Sequence, residues 1–109
     1  MKFSGILIGI FAIILLLACG TASGDSQEAP DGQKLYKTYC VTCHGVNGGM
    51  QLNGARDLRA SELGLEERVS VISNGRNLMA AYKGIMTADE IRAVATYTMG
   101  LGEGERKGE

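Results

Sequence analysis

Apolar residues fall into four stretches of the chain that differ in their spacing. Residues 6–18 form an apolar run without any charge. Three later stretches repeat apolar residues at intervals of three or four, the spacing of one face of an α-helix. No stretch alternates apolar and polar residues as a half-buried strand does. The pattern therefore predicts an all-α domain that follows a separate apolar segment.

A first helix is predicted to begin after Asp31, whose short carboxylate suits an N-cap. Its apolar positions lie one, three or four residues apart, so they share one helix face. These positions are Leu35, Tyr36, Tyr39, Cys40 and Cys43. Residues 45–54 follow, rich in glycine and asparagine, and are predicted to form a loop.

A second helix is predicted over residues 65–73, where Leu65, Val69 and Ile72 lie on one face. Gly64 stands at its N-cap position. The dipeptide Asn74-Gly75 is typical of a helix end and is predicted to stop this helix.

The last helix is predicted to open at Thr87, because Thr87 and Glu90 have the spacing of a capping box. Its apolar face comprises Ile91, Val94, Ala95 and Thr98, widened by Tyr97 and Leu101. Together the three helices define one domain over residues 31–102, and the chain contains no internal repeat.

The run Cys40-Val41-Thr42-Cys43-His44 matches the attachment signature of c-type haem. Each thiol can add to one vinyl group of a porphyrin, and His44 can supply an imidazole to its iron. The chain has three cysteines and one histidine, and this run contains two of the cysteines and the histidine. The motif therefore predicts one covalently bound haem c.

Three other interpretations fit the motif less well than haem attachment. A thioredoxin-like Cys-x-x-Cys requires a βαβ context, whereas this one is followed by a glycine-rich loop. A structural zinc ion requires four cysteine or histidine ligands, and beyond the motif only Cys19 remains. A chance cluster would leave Cys40 and Cys43 only to pair with each other.

The N-terminal segment is predicted to be an export signal over residues 1–18, because its apolar run is too short to span a bilayer. The sequence Leu16-Leu17-Ala18-Cys19 resembles a bacterial lipoprotein signal, so Cys19 is predicted to become the lipid-modified N-terminus. Residues 19–30 are small and polar and are predicted to be a flexible, lipid-anchored linker. Residues 103–109 are predicted to be a disordered tail.

Charge and size restrict the function classes further. The chain has eleven basic and twelve acidic residues, a net charge of −1, which excludes an electrostatic footprint for nucleic acid. The domain at residues 31–102 is small enough that its protein core alone is marginal. A bound prosthetic group is expected to supply most of the core.

The domain resembles the class I cytochrome c family. Gly32 stands eight residues before Cys40, Tyr36 stands four before it, and Tyr97 lies in the closing helix. The resemblance implies that these three residues pack the first helix across the last. It also implies an all-α fold around one covalent haem that is attached outside the cytoplasmic membrane, on the periplasmic side.

The second axial ligand of the iron must come from a residue other than histidine, and lysine, methionine or an open position each remain possible. Met79 is the best placed, in a loop that follows the Asn74-Gly75 helix stop, with Met86 as the alternative. The resemblance supports Met79. The family usually has proline after this methionine, and Ala80 in that place predicts a more mobile loop.

A second departure from the family pattern lies at Arg56, where a proline commonly offers its carbonyl to the proximal histidine. Arg56 also has a carbonyl that can accept from His44 and fix its ring. The side chains of Arg56 and Arg76 are expected either to be solvated or to pair with haem propionates.

A haem held by His44 and Met79 predicts a monomeric one-electron carrier that moves electrons between a redox protein donor and a redox protein acceptor. The alternatives are a haem enzyme or small-gas sensor with a labile sixth ligand, and a haem subunit of a larger respiratory complex.

Overall fold

The computed structural model describes residues 27–103. In chain order these form α1 (Gly32–Tyr39), α2 (Val41–His44), a 3-10 turn (Leu52–Gly54), α3 (Leu65–Asn74) and α4 (Ala88–Met99). Residues 27–103 contain no β-strand, and the predicted all-α fold is confirmed. None of their helices is long and apolar enough to cross a membrane. The predicted export signal, Cys19 and the tail after residue 103 lie outside the described residues.

The helix starts follow the capping residues of the sequence. The Asp31 carboxylate accepts from the Lys34 N–H at 3.1 Å. Thr87 Oγ1 accepts from the Glu90 N–H at 3.2 Å, while the Glu90 carboxylate accepts from the Thr87 N–H at 2.8 Å. Each bond satisfies one of the N–H groups that a helix start leaves without an internal partner. The predicted N-cap and capping box are therefore present.

The first helix differs from the prediction, because it does not continue through the cysteine motif. Helix α1 ends at Tyr39, and Cys40, with φ −113° and ψ −28°, separates it from α2. Tyr39, the last residue of α1 and predicted on the buried face, is 39% exposed.

Helices α1 and α4 cross with almost no space between their backbones. A Cβ at Gly32 would collide with the Ala93 carbonyl oxygen. Beside the crossing, Tyr36 is fully buried, and its ring centroid lies 5.2 Å from that of Tyr97. Burial of one such side chain stabilises a fold by about 2 kcal/mol. The three residues therefore have the packing role that the sequence predicted.

Helix α3 packs on the other side of α4 and closes a small apolar cluster. Its buried members are Ile72, Met86, Ile91, Val94 and Ala95. Half-buried side chains cover this cluster, namely Leu35, Cys40, Leu65, Val69, Met79 and Tyr82. Met99, the last residue of α4, lies outside this cluster and is 40% exposed.

Gly32→Ala is expected to lower the free energy of unfolding by about 2 kcal/mol, because the new methyl group must push α1 away from α4. Gly84→Ala is the matched control, since a Cβ there meets nothing within 4 Å. Denaturant unfolding of both variants measures the difference. Equal midpoints for the two variants would contradict the close helix crossing.

Candidate functional site

Helix α2 places the two cysteines and the histidine of the motif in one helical turn. The His44 N–H donates to the Cys40 carbonyl at 3.0 Å, and the Cys43 N–H donates to the same carbonyl at 3.3 Å. Side chains three and four residues apart emerge on the same side of such a turn. Cys40 is half-buried and Cys43 is exposed. One thiol thus lies against the core and the other at the surface.

The chemistry around the cysteines disfavours a thiol redox site and a metal cluster. Burial, helped by the neighbouring Cys43, raises the pKa of Cys40 to about 11. The reactive cysteine of a thiol–disulfide exchange motif has a lowered pKa instead. Within residues 27–103, no group of three or more His, Cys, Asp and Glu side chains is arranged to hold a metal ion.

His44 is buried and its ring is held by the backbone. Its side chain is 9% exposed, and Nδ1 lies 3.1 Å from the Arg56 carbonyl oxygen. Nδ1 donates this bond, which leaves Nε2 as the nitrogen with a free lone pair. Burial lowers the pKa of His44, although the bond to Arg56 opposes this shift. The predicted orienting contact is therefore present without a proline at position 56.

A buried tyrosine fixes the turn that follows His44. The Tyr36 hydroxyl donates to the Gly45 carbonyl at 2.7 Å. Gly45 has φ +75°, and a Cβ there would lie 2.8 Å from that of Met50. Burial, with smaller effects from Cys40 and Tyr97, raises the pKa of Tyr36 to about 12. The hydroxyl therefore remains a donor at neutral pH and ties α1 to the loop.

Met79 ends a tight turn directly after α3. The Arg76 N–H donates to the Met79 carbonyl at 3.1 Å, and the Met79 N–H donates back to the Arg76 carbonyl at 2.9 Å. Asn77 in this turn has φ +54°, and Gly75 before it has φ +73°. Asparagine and glycine tolerate this left-handed region better than other residues. The local sequence therefore favours the turn that carries Met79.

The structure separates the two methionines that the sequence proposed as ligands. Met79 is half-buried and packs against the same buried cluster as Cys40. Met86 is 5% exposed and is itself a member of that cluster. A methionine that fills a core gap is already occupied by packing. This difference in burial favours Met79 over Met86 as the methionine that can serve a group bound at the cysteine motif.

Large apolar side chains are exposed on both segments that flank the proposed site. Val46, Met50 and Leu52 follow His44, and Leu78 and Ile85 flank Met79 in the chain. Their exposed fractions run from 45% for Leu52 to 84% for Leu78. By contrast, the described residues bury only six apolar side chains: Tyr36, Ile72, Met86, Ile91, Val94 and Ala95. A small protein core, together with exposed apolar side chains after His44 and around Met79, fits a large apolar prosthetic group.

Arg68 is a buried residue that the sequence analysis missed. Its side chain is 6% exposed and lies between α3, α4 and the segment before α3. The guanidinium donates to the carbonyls of Ser61, Leu63 and Thr98 and to the Thr98 hydroxyl, at 3.0 to 3.1 Å. Burial lowers the pKa of Arg68. Its position three residues after Leu65 was the available signal, because i+3 belongs to the buried helix face.

The other arginines near the site are less buried than Arg68. The side chains of Arg56 and Arg76 are exposed, which fits the solvated interpretation. Arg59 pairs with Asp57 at 2.8 Å, and its hydrogen bonds lower the pKa of Asp57 to about 2. The Leu58 N–H next to this pair donates to the Gly48 carbonyl at 2.9 Å. These contacts close the loop that carries the Arg56 carbonyl to His44.

Residues 27–97 match the family model described as cytochrome c oxidase, cbb3-type, subunit III. This chain belongs to the c-type cytochromes. Its cofactor is covalently bound haem c, and its function is electron transfer by that haem. The interpretation drawn from the Cys-x-x-Cys-His motif is confirmed at this level.

Several small cytochromes are similar to this one over most of their length. Cytochrome c6 of Leptolyngbya boryana is 34% identical over 82 residues, which cover 70% of this chain and 95% of the relative. Cytochrome c-551 of Bacillus subtilis (strain 168) is 32% identical over 110 residues, which cover 88% and 93%. The solved structure of the KustC0563 c-type cytochrome is 31% identical with a TM-score of 0.60, covering 65% of this chain and 96% of that one. The fold is thus that of a small monohaem cytochrome c.

Arg68→Met is expected to lower the free energy of unfolding by about 3 kcal/mol, because it leaves three carbonyls and the Thr98 hydroxyl without their donor. Arg92→Met is the matched control. Arg92 forms an ion pair with Glu66 at 2.8 Å, with both side chains at least half exposed, so its loss should change stability far less. Denaturant unfolding of both variants measures whether Arg68→Met loses more stability than Arg92→Met. A larger loss for Arg92→Met would contradict it.

Proposed function

We propose that Cys40 and Cys43 hold the haem through two thioether bonds and that His44 binds its iron. The observation that carries this proposal is the single turn that groups the three side chains. The Arg56 carbonyl already accepts from Nδ1 of His44, so Nε2 is the nitrogen left for the iron.

We further propose Met79 as the second axial ligand. Its support is the tight turn after α3 and its packing against the cluster that also contacts Cys40. When bound, the haem supplies an iron that changes by one electron between its ferrous and ferric states. His44 and Met79 together would fill both axial positions and leave none for a substrate. Thioether ligation raises the reduction potential, which suits an electron carrier.

The proposed partners are one redox protein that donates an electron and another that accepts it. Cys43 is exposed, and Val46 and Leu78 next to the proposed ligands are more than two-thirds exposed. These features support a haem edge close to the surface, where a partner docks through a small and weak interface. The cytochrome would act in this exchange as a monomer.

The proposed setting is the periplasmic side of a bacterial membrane. Residues 1–18 would direct export, residues 19–30 would link a lipid on Cys19 to the domain at 31–102, and residues 103–109 would form a tail. In support of the start of the domain, α1 begins at Gly32, capped by Asp31. Several acyl chains would hold the protein stably on the membrane, whereas one would not.

A second proposal is that the cytochrome is a subunit of a membrane oxidase. The description of the matching family supports it, since it names an oxidase subunit. Extraction in gentle detergent followed by affinity purification separates the two proposals. A stoichiometric partner complex supports the subunit, and isolation of the cytochrome alone supports the free carrier.

Met79→Leu is expected to abolish the sulfur-to-iron charge-transfer absorption of the ferric cytochrome, because leucine retains the bulk of the side chain but offers no ligand. The band is measured by optical spectroscopy of the oxidised protein. Met86→Leu is the matched control and should keep the band.

The opposite pattern, with the band lost only in Met86→Leu, would assign the ligand to Met86. High-spin ferric iron in the wild type would contradict axial methionine altogether. That outcome would favour the haem enzyme or sensor with an open sixth position.

Cys19→Ala is expected to move the cytochrome from the membrane fraction to the soluble periplasmic fraction, because it removes the lipid acceptor. Fractionation of cells measures the distribution, and mass spectrometry of the N-terminal peptide measures acylation. An unmodified wild-type N-terminus would contradict the proposed anchor.

A further inference from the structure

The segment between α3 and α4 is held at two points. The first is the turn in which Arg76 and Met79 exchange backbone hydrogen bonds. The second is the pair Tyr82 and Lys83, whose N–H groups donate to the Ile72 carbonyl at 2.9 Å and to the Ser73 carbonyl at 3.2 Å. The Tyr82 carbonyl also accepts from the Met86 N–H at 2.9 Å. Met79 is the residue directly before the short stretch that separates these two points.

Only Ala80 and Ala81 lie between the two points, and both are exposed. Neither is a proline, so the backbone torsions of this stretch are not fixed by a ring. Small exposed side chains also give it little packing. Met79 is held by its own turn and by its contact with the buried cluster, and Tyr82 is the next anchored residue after it. The freedom of the stretch between them therefore depends in part on how firmly Tyr82 is held.

Tyr82 is held by more than its backbone. Its hydroxyl donates to the Tyr39 carbonyl at 3.2 Å, across 43 residues of sequence. The two rings also meet edge to face, with centroids 6.0 Å apart. Tyr39 immediately precedes Cys40, so this contact joins the Met79 loop to the helix that leads into the cysteine motif.

The Tyr39 carbonyl is available because α1 ends there. At the break, the Cys43 N–H donates to the Cys40 carbonyl at 3.3 Å. The last carbonyls of a helix need partners from outside it. Tyr82 supplies such a partner from the opposite segment of the site.

We propose that Tyr82 is a positioning residue for the Met79 ligand, and that the bond from its hydroxyl to the Tyr39 carbonyl restrains the loop that lacks a proline at position 80. The inference rests on the proposed ligation by Met79. Loss of the bond leaves the tyrosine ring contacts in place, so it loosens the loop without removing its packing.

The test measures how fast imidazole displaces the sulfur ligand from the ferric, haem-loaded cytochrome, by stopped-flow absorption. Tyr82→Phe is expected to speed this displacement about fivefold, the factor that one neutral hydrogen bond typically contributes to an equilibrium. Tyr97→Phe is the matched control, because it removes a hydroxyl from a ring on α4 that packs against Tyr36. Tyr97→Phe should leave the rate of imidazole displacement within about twofold of wild type, a smaller change than the loss of one hydrogen bond would give.

A rescue variant separates positioning from general stability. Ala80→Pro added to Tyr82→Phe fixes the backbone next to Met79 and should return the displacement rate to the wild-type value. A purely structural role for Tyr82 would instead lower the unfolding midpoint and leave the imidazole rate unchanged, and that result would overturn the proposal.

If Met79 does not bind the iron, the measurements differ from those expected when only the role of Tyr82 is wrong. If wild-type ferric protein lacks the sulfur charge-transfer band, the proposed ligand is wrong, and the role of Tyr82 falls with it. If the band is present and is lost in Met79→Leu, but Tyr82→Phe matches wild type in imidazole displacement, only the role of Tyr82 is overturned.

Discussion

The helical core of the described residues is small, and the covalently bound haem is expected to complete it. Residues 27–103 bury only six apolar side chains, while Val46, Leu78 and Ile85 remain more than half exposed. A core of this size is usually marginal against the conformational entropy of the chain. The proposed attachment at Cys40 and Cys43 would add a large apolar surface that cannot dissociate. Helix packing and haem binding would then form one stabilising unit.

Side-chain donors to backbone carbonyls hold the rest of the domain around that unit. Tyr36 bonds to Gly45, Arg68 bonds to Thr98, and Tyr82 bonds to the carbonyl before Cys40. Each bond satisfies a carbonyl at a helix end or in a loop, where the regular pattern of the helix stops. Short helices and long loops leave many such carbonyls, so these few side chains determine how the segments meet.

The sequence was sufficient for the helices, their caps and the cysteine motif, because each of these leaves a local pattern. It was not sufficient for the break at Cys40, the residue that separates α1 from α2. Nor did it reveal the bonds that Arg68 and Tyr82 make. Most of their acceptors are backbone carbonyls, which every residue has, so the acceptor leaves no pattern in the sequence. The contact of His44 with Arg56 was predictable only by analogy with a proline.

The central claim is that Cys40 and Cys43 both carry the haem. Peptide mapping by mass spectrometry, after alkylation of free thiols in protein matured with a cytochrome assembly system, tests it directly. If both cysteines carry the haem, the peptide with residues 40–44 will contain one haem and neither cysteine will be alkylated. Alkylation of both cysteines, or a disulfide between them, would contradict it.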